Sequence, residues 1–433
     1  MNRTDRMVLK FRDVLRETER LGPDDLRAYQ QSLLTPLLLH ASAHTSFYRK
    51  RLDGIFNGGE VDFSKWGGIP VLTRAEAQRS ESALKAAMVP PHLGAVSADE
   101  TSGSTGRPLR YLKNELMDIA ALAMTDRLYR WWRFDGASPM ANFVSPRRKA
   151  ADPDGSETFG WRSGFLEGCT YLLDTSGDAD RHVDWLNRIR ARYLVSYSSM
   201  VPPLAERIRE RNLDIGFDRV ITRGGVVTDE ARALCREVFG GPLVDQYGAD
   251  EIGQIACECP HCGAYHISAE AVLAEILDEQ GAPVKPGETG RVVLTNLYNY
   301  AMPLIRYEIG DLATVSPDNL KCKTRLPSLI RIIGRYRNTF TLADGRVLFP
   351  NVPMSGFRDY LGYSQIQIVQ TEFDRLEVRY VPDGGKRAPD REGLEAWLRE
   401  GLDPCFGVRV KEVGEIPPSS DGKYEDFLSL IAK

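Results

Sequence analysis

The sequence predicts an α/β fold, a large α/β domain followed by a small α+β domain. Three observations predict it. Strand-like and helix-like segments alternate over residues 97–243. Short β-runs punctuated by turn residues follow over 271–295. From about Tyr336 two alternating strands, a helix and another strand make a compact α+β set. Alternation of the two periodicities marks a sheet covered by helices, and 433 residues are enough for more than one core.

Taken in order, the first hundred residues are mostly helical. Residues 33–52 carry apolar side chains at helical spacing, and Gly68-Ile69-Pro70-Val71-Leu72-Thr73 breaks that pattern. Thr73 is placed to cap a helix opening at Arg74-Ala75-Glu76. Further on, Tyr193-Leu194-Val195-Ser196-Tyr197 predicts a strand and 202–212 the helix after it. Val220-Ile221-Thr222 is a strand running into Gly224-Gly225. Thr228 then caps a helix with Asp229 and Glu230 in its first turn, closed by Gly240-Gly241. Gly281, Pro283, Pro286, Gly287 and Gly290 set the turns around strands such as Val292-Val293-Leu294. The last unit has strands at 366–369 and 376–380, a helix over 390–401 and a strand at 408–410.

Composition is ordinary and globular, with 42% hydrophobic and 27% charged residues. A net charge of −4 gives no general attraction to nucleic acid or anionic lipid. No apolar run reaches the length of a membrane span, and the charged first twenty residues lack a signal-peptide core. The expectation is a cytoplasmic protein with no nucleic-acid and no membrane partner.

The strongest chemical signal is Glu100-Thr101-Ser102-Gly103-Ser104-Thr105-Gly106-Arg107-Pro108. Its glycines let the backbone turn sharply, and its hydroxyls and N–H groups can wrap a polyphosphate. No Gly-Lys-Ser/Thr follows, so it is not a Walker loop. On composition alone a flexible polar surface loop stays open. Trp131, Trp132, Phe134, Tyr197, Ser198 and Ser199 either line an aryl-acid pocket or belong to the core. Arg147, Arg148 and Lys149 could meet an anion, with a solvated loop as the simpler reading.

The seven cysteines are uneven. Cys169, Cys235 and Cys405 stand alone and are read as small buried hydrophobes. Cys259-Pro260-His261-Cys262-Gly263 has the spacing of a zinc knuckle, with Cys257 before it, His266 after it and Cys322 far downstream. Four ligands close a tetrahedral site, so one of the five candidates is surplus. Cys259, Cys262 and Cys322 are favoured, with Cys257 or His266 as the fourth. Reduced, buried thiols are the plainer alternative.

The order Thr-Ser-Gly-Ser-Thr-Gly-x-Pro closely resembles the phosphate loop of the adenylate-forming (ANL) superfamily. Further segments match in that superfamily's chain order. Gly224-Gly225-Val226 looks like its adenine loop. Asp245-Gln246-Tyr247-Gly248-Ala249-Asp250-Glu251 resembles its aromatic-Gly-x-Thr-Glu segment, in which the aromatic flanks adenine and the glutamate helps hold magnesium. Arg306-Tyr307-Glu308-Ile309-Gly310-Asp311 looks like the segment whose aspartate grips the ribose. Gly334-Arg335 resembles the pair before the domain hinge, and Gly422-Lys423 the pair whose lysine serves adenylation. Within the superfamily the chain most resembles the phenylacetate–CoA ligase-like branch, through His40-Ala41, Ser46-Phe47-Tyr48-Arg49, 69–73 and Pro303-Leu304-Ile305-Arg306-Tyr307. Two departures stand out. Asp250 occupies a position where many members carry Thr or Ser, and Tyr336-Arg337-Asn338 replaces the usual acidic residues after Gly-Arg.

The resemblance implies a large multi-sheet adenylate-forming domain over 1–335 and a small α+β lid over 336–433. It implies an acid–thiol ligase that turns ATP and a small, aromatic carboxylic acid into acyl-AMP and pyrophosphate, then a coenzyme A thioester. Catalysis falls to Lys423 and Glu251. Nucleotide binding falls to Thr101, Ser102, Gly103, Ser104, Thr105, Gly106, Gly224, Gly225, Asp245, Gln246, Tyr247, Gly248, Asp311 and Arg335. ATP, Mg2+ and a structural Zn2+ are the expected cofactors, and a homodimer is one expected assembly. Transfer to an amine, a carrier-protein thiol or another small nucleophile is the alternative. A nucleotide-binding regulator and a zinc-dependent nucleic-acid binder are the non-enzyme readings.

Overall fold

The computed structural model describes residues 3–101, 109–145, 152, 154–161, 165–176, 178–335, 340–348, 354–384, 388–417 and 427–431. They form two compact units. One holds residues 3–101, 109–309 and 313–332, and the other holds 310–312 and the described residues from 333 onward. No helix among the described residues is long and apolar enough to cross a membrane.

The first unit opens with helices Arg3–Thr18 and Pro23–His44. The second begins on Pro23 with Asp24 and Asp25 in its first turn, residues that suit unpaired N–H groups and the positive end of the helix dipole. The single helix expected over 33–52 is broken at Thr45, which is extended (φ −119°, ψ 133°). The Thr45 hydroxyl accepts a hydrogen bond from Tyr48 N at 3.2 Å as the short helix Tyr48–Arg51 begins. Arg3–Thr18 lies along the helix Glu115–Trp131, where the Arg12 Nε donates to the fully buried Asp126 at 3.0 Å.

Thirteen strands share one sheet. In spatial order they run Val272–Leu277, Thr289–Asn296, Tyr307–Val315, Ser328–Arg335, Tyr265–Ile267, Gly253–Glu258, Leu243–Ala249, Arg219–Arg223, Tyr193–Tyr197, Met140–Val144, Phe165–Asp174 and Ser156–Trp161, with Leu72–Thr73 beside Tyr307–Val315. Leu243–Ala249 is the seam. It runs parallel to Arg219–Arg223 and antiparallel to Gly253–Glu258.

On the parallel side, helices Val201–Glu210 and Asp229–Phe239 are crossovers between neighbouring strands, as parallel pairing requires. Thr228 caps the latter by accepting from Ala231 N at 3.1 Å, and Gly240 ends it at φ +79°. Strand residues alternate between two apolar layers. Leu194, Val220 and Leu243 pack with these helices, whereas Val195, Ile221 and Val244 face Leu128, Tyr129 and Phe134 on the other side. This half is therefore buried on both faces.

The second unit holds a four-stranded sheet ordered Gly407–Glu412, Arg375–Pro382, Tyr363–Glu372 and Phe427–Ser429. The helix Arg391–Gly401, capped by Asp390 accepting from Gly393 N at 2.9 Å, supplies Leu394 and Leu398 to a core with Phe340, Phe357 and Phe406. Phe427–Ser429 is a strand beyond those predicted. It pairs parallel with Tyr363–Glu372.

Candidate active site and cysteine–histidine centre

The seam strand carries the aromatic–glutamate segment. Its register with Gly253–Glu258 shifts between Tyr247 and Gly248, a bulge that re-aims the residues after it. Gly248 suits this close pairing, because a Cβ would lie a tight 3.0 Å from the Gly253 carbonyl oxygen. The chain then turns, with Ile252 N donating to Ala249 O at 3.1 Å, and places Glu251 inside the protein at 4% exposure.

A buried carboxylate needs donors or a cation, and Glu251 has both. Arg74 Nη1 donates to its Oε1 at 3.0 Å, and Tyr307 Oη donates to the same oxygen at 3.1 Å. Arg74 Nη2 also donates to Thr101 Oγ1 at 2.7 Å. The Thr101 hydroxyl accepts from Leu109 N at 2.9 Å, and Thr101 N donates to Leu109 O at 2.9 Å. Thr101 and Leu109 flank the hydroxyl-glycine segment and are bonded to each other. Arg74 reaches this point because Leu72–Thr73 pairs in parallel with Tyr307–Val315, Leu72 opposite Tyr307. Its helix is capped by Thr73, as expected, and clamped by the Arg51–Glu76 ion pair at 2.8 Å. Nearby carboxylate and phenol keep the Arg74 guanidinium charged against the cost of burial, and burial raises the Tyr307 phenol well above its usual range.

Asp245 lies earlier on the seam strand and makes internal bonds. Its Oδ1 accepts from Thr222 Oγ1 and its Oδ2 from Tyr265 Oη, both at 2.9 Å. Its amide donates to Glu258 Oε2 at 2.9 Å, and Glu258 in turn accepts from Arg232 at 3.0 Å. Burial pushes the Asp245 carboxyl up to about 7, with the Glu258 charge adding to it and the two hydroxyl donors opposing it. Gln246 is half-buried and pairs with Cys257, and Tyr247 is buried opposite Ala256.

Gly224 takes φ +78°, a conformation open to glycine. A Cβ on Gly225 would lie 2.3 Å from Ser198 Oγ, so this loop packs directly on the turn that ends the neighbouring strand. Trp131, Trp132 and Phe134 make contacts inside the protein. Phe134 packs among Tyr129, Trp161 and Tyr193, Trp131 meets His266 edge-on, and Trp132 Nε1 donates to Glu258 O at 2.9 Å. Phe134 is buried, whereas Trp131 and Trp132 are half-buried.

Cys259, Cys262, His266 and Cys322 converge, with their ligand atoms all within 4.8 Å of one another. Cys259 Sγ is 3.7 Å from Cys322 Sγ. His266 Nε2 is 3.6 Å from Cys262 Sγ and 3.3 Å from Cys322 Sγ. Tetrahedral zinc with Zn–S bonds of about 2.3 Å sets sulfur–sulfur edges of about 3.7 Å, so the donor set and spacing fit that ion. Cys257 is the surplus candidate. It sits on a paired strand opposite His266, faces the apolar layer beneath the sheet, and burial pushes its thiol up to about 12. Of the lone cysteines, Cys235 is buried as read, Cys169 is half-buried and Cys405 is exposed.

Ser102, Gly103, Ser104, Thr105, Gly106 and Lys423 lie outside the described residues, as do Arg147, Arg148, Lys149 and 336–338. Arg335 ends the strand Ser328–Arg335, and its side chain is likewise outside the description. Asp311 lies half-buried on Tyr307–Val315 and belongs to the second unit. Sequence reasoning missed Arg74, Tyr307 as a partner of Glu251, and the Arg232–Glu258–Tyr265 support. The one available signal was a basic residue next to a capping threonine, which is common at any helix start.

No family model matches the chain. A phenylacetate–coenzyme A ligase of Thermus thermophilus is 26% identical over 334 residues, covering 74% of this chain and 72% of that protein. The phenylacetate–coenzyme A ligase of Escherichia coli is 25% identical over 389 residues, covering 85% and 81%. Among solved structures, 2-hydroxyisobutyryl-CoA ligase in its postadenylation state superposes with a TM-score of 0.72 at 18% identity, covering 95% of this chain and 90% of that one. By the two relatives and by the fold shared with that ligase, this chain resembles the phenylacetate–CoA ligase-like branch of the adenylate-forming superfamily.

Proposed function

We propose that the protein is an ATP-dependent acid–thiol ligase that adenylates a small carboxylic acid, aromatic by the names of its relatives, and transfers the acyl group to coenzyme A. The observation that carries this reading is the placement of Glu251. A buried carboxylate is joined by Arg74 to Thr101, which in turn accepts from Leu109 N on the far side of the hydroxyl-glycine segment. That is the arrangement a metal-nucleotide site needs, since the reaction asks the protein mainly for position and charge.

In the first step a substrate carboxylate oxygen attacks the α-phosphorus. The bond to the bridging oxygen breaks and pyrophosphate leaves with the electron pair. In the second, the coenzyme A sulfur attacks the acyl carbon and AMP leaves. Bound magnesium would supply charge neutralisation for the phosphates, and Glu251 is the residue that would hold it. Tyr247, Gly224 and Gly225 would take the adenine, Asp311 the ribose, and Lys423 the carboxylate and α-phosphate. Zinc in the cysteine–histidine centre would be structural, because four protein donors leave no open position. With this reading go a cytoplasmic location and a homodimer as one assembly, without nucleic-acid or membrane partners.

The test is ATP–pyrophosphate exchange across aryl, aliphatic and amino acids, followed by acceptor assays with coenzyme A and hydroxylamine. Exchange with an aryl acid and thioester formation support the whole reading. Exchange with hydroxamate but no thioester moves the acceptor away from coenzyme A, and no ATP binding overturns the reading.

A further inference from the structure

Glu251 has two carboxylate oxygens and they are treated differently. Arg74 Nη1 and Tyr307 Oη both donate to Oε1. Among the described residues no hydrogen bond ends on Oε2. The same guanidinium reaches the other way, through Nη2, to the Thr101 hydroxyl at the root of the hydroxyl-glycine loop. Arg74 therefore spans the carboxylate and the loop root with two arms of one rigid, planar group. Its own position is fixed by the pairing of Leu72 with Tyr307 and by the Thr73 cap.

We propose that Arg74 is a positioning residue for the metal-nucleotide site. It saturates Glu251 Oε1 so that Oε2 is turned out as the metal-binding oxygen, and it fixes the spacing between that carboxylate and Thr101. The inference rests on the reading of Glu251 as a magnesium ligand. Physical chemistry favours it in two ways. A carboxylate held by two donors on one oxygen has lost its rotational freedom, so less order must be imposed when a cation arrives. Partners behind a metal ligand set its orientation and basicity, and their loss typically costs about 10–100-fold in metal affinity. A guanidinium also does what an ammonium cannot. Lysine keeps the charge but is a point donor on a flexible stem, without the fork that reaches two acceptors in fixed directions.

The experiment compares the full-length protein with Arg74→Lys, Tyr307→Phe and Thr101→Val. Equilibrium binding of ATP is measured at rising Mn2+, with melting temperature recorded on each sample. Arg74→Lys is expected to raise the Mn2+ needed for half-maximal nucleotide binding by about tenfold, while its melting temperature stays near that of the wild type. Tyr307→Phe, which leaves Arg74 on Oε1, is expected to give a smaller shift of the same kind. Thr101→Val is expected to weaken ATP binding with a smaller change in Mn2+ dependence. An unchanged Mn2+ requirement in a folded Arg74→Lys protein overturns the proposal. So does a loss of ATP affinity that is the same at every Mn2+ concentration, since that would make Arg74 a simple phosphate contact. If the wild type itself binds no ATP at saturating Mn2+, the functional reading fails first. If the lysine variant does not fold, the Tyr307→Phe shift decides, and its absence counts against the proposal.

Discussion

His266 is fixed by Leu326: Nδ1 lies 3.0 Å from the Leu326 carbonyl oxygen, which can only accept, so Nδ1 carries the proton and Nε2 offers its lone pair to the centre. Burial also disfavours the charged ring. The histidine is thus held neutral, in the tautomer a metal requires. His266→Ala is expected to lower zinc from about one ion per chain toward none and to lower the melting temperature with it. Cys257→Ser is expected to keep full metal content. Metal analysis and calorimetry on the same samples check both, and loss of zinc in Cys257→Ser would contradict the assignment.

Asp245 gives a pH prediction. Its carboxyl is raised by burial to about 7 in the folded protein, whereas an unfolded aspartate titrates near about 4. Between these values the folded state binds more protons than the unfolded one. Stability from this group is present in acid and is lost as pH rises through about 7. Asp245→Asn is expected to flatten the fall in unfolding free energy over that window. Denaturant titrations at a series of pH values would show it, and an unchanged slope would place the titration elsewhere.

The contact between Gly225 and Ser198 is tight enough to test by crowding and relief. Gly225→Ala is expected to cost about 1–3 kcal/mol through overpacking and to weaken ATP binding. Adding Ser198→Ala removes the oxygen that the new methyl would strike and should recover most of both losses. A double variant no better than Gly225→Ala would show that the loop needs the glycine for another reason.

The N-terminal helix is anchored by Asp126, which is fully buried and paired with Arg12 and Arg130, each at 3.0 Å. Asp126→Ala is expected to destabilise the protein by about 3 kcal/mol. That is the low end for a broken buried pair, because both arginines keep some solvent contact. Urea unfolding measures it, and a loss under about 0.5 kcal/mol would mean the helix is held by apolar packing alone.

Lys423 carries the proposed adenylation chemistry. Lys423→Ala is expected to reduce pyrophosphate exchange by about 100-fold or more without lowering the melting temperature. Wild-type exchange in that variant would remove the lysine from the mechanism.

What the sequence made legible follows the range of its signals. Thr73 and Thr228 cap where predicted, because a cap is decided within four residues. The Cys259–Cys262 pair is local too, and it limited the search for its partners to a few residues. Choosing His266 over Cys257 needed the three-dimensional placement that brings the His266 ring, and not the Cys257 thiol, within reach of the other three donors. Arg74 was named only as a helix start. Its contact with Tyr307 spans 233 residues and arises from a two-residue strand with almost no periodicity to detect. The aromatics near Trp131 were ambiguous for a related reason. Core and pocket use the same residue types, and only packing separates them.

That two-residue strand also sets a schedule for synthesis. Leu72–Thr73 leaves the ribosome long before the strand it pairs with. At about 5–20 residues per second the wait is roughly 10–50 s. During that interval Arg74 lacks Tyr307, for most of it Glu251 as well, and the edge it will occupy does not exist. A nascent chain halted before Tyr307 therefore lacks the phenol that donates to Glu251 Oε1 and the strand that holds Leu72–Thr73 in place.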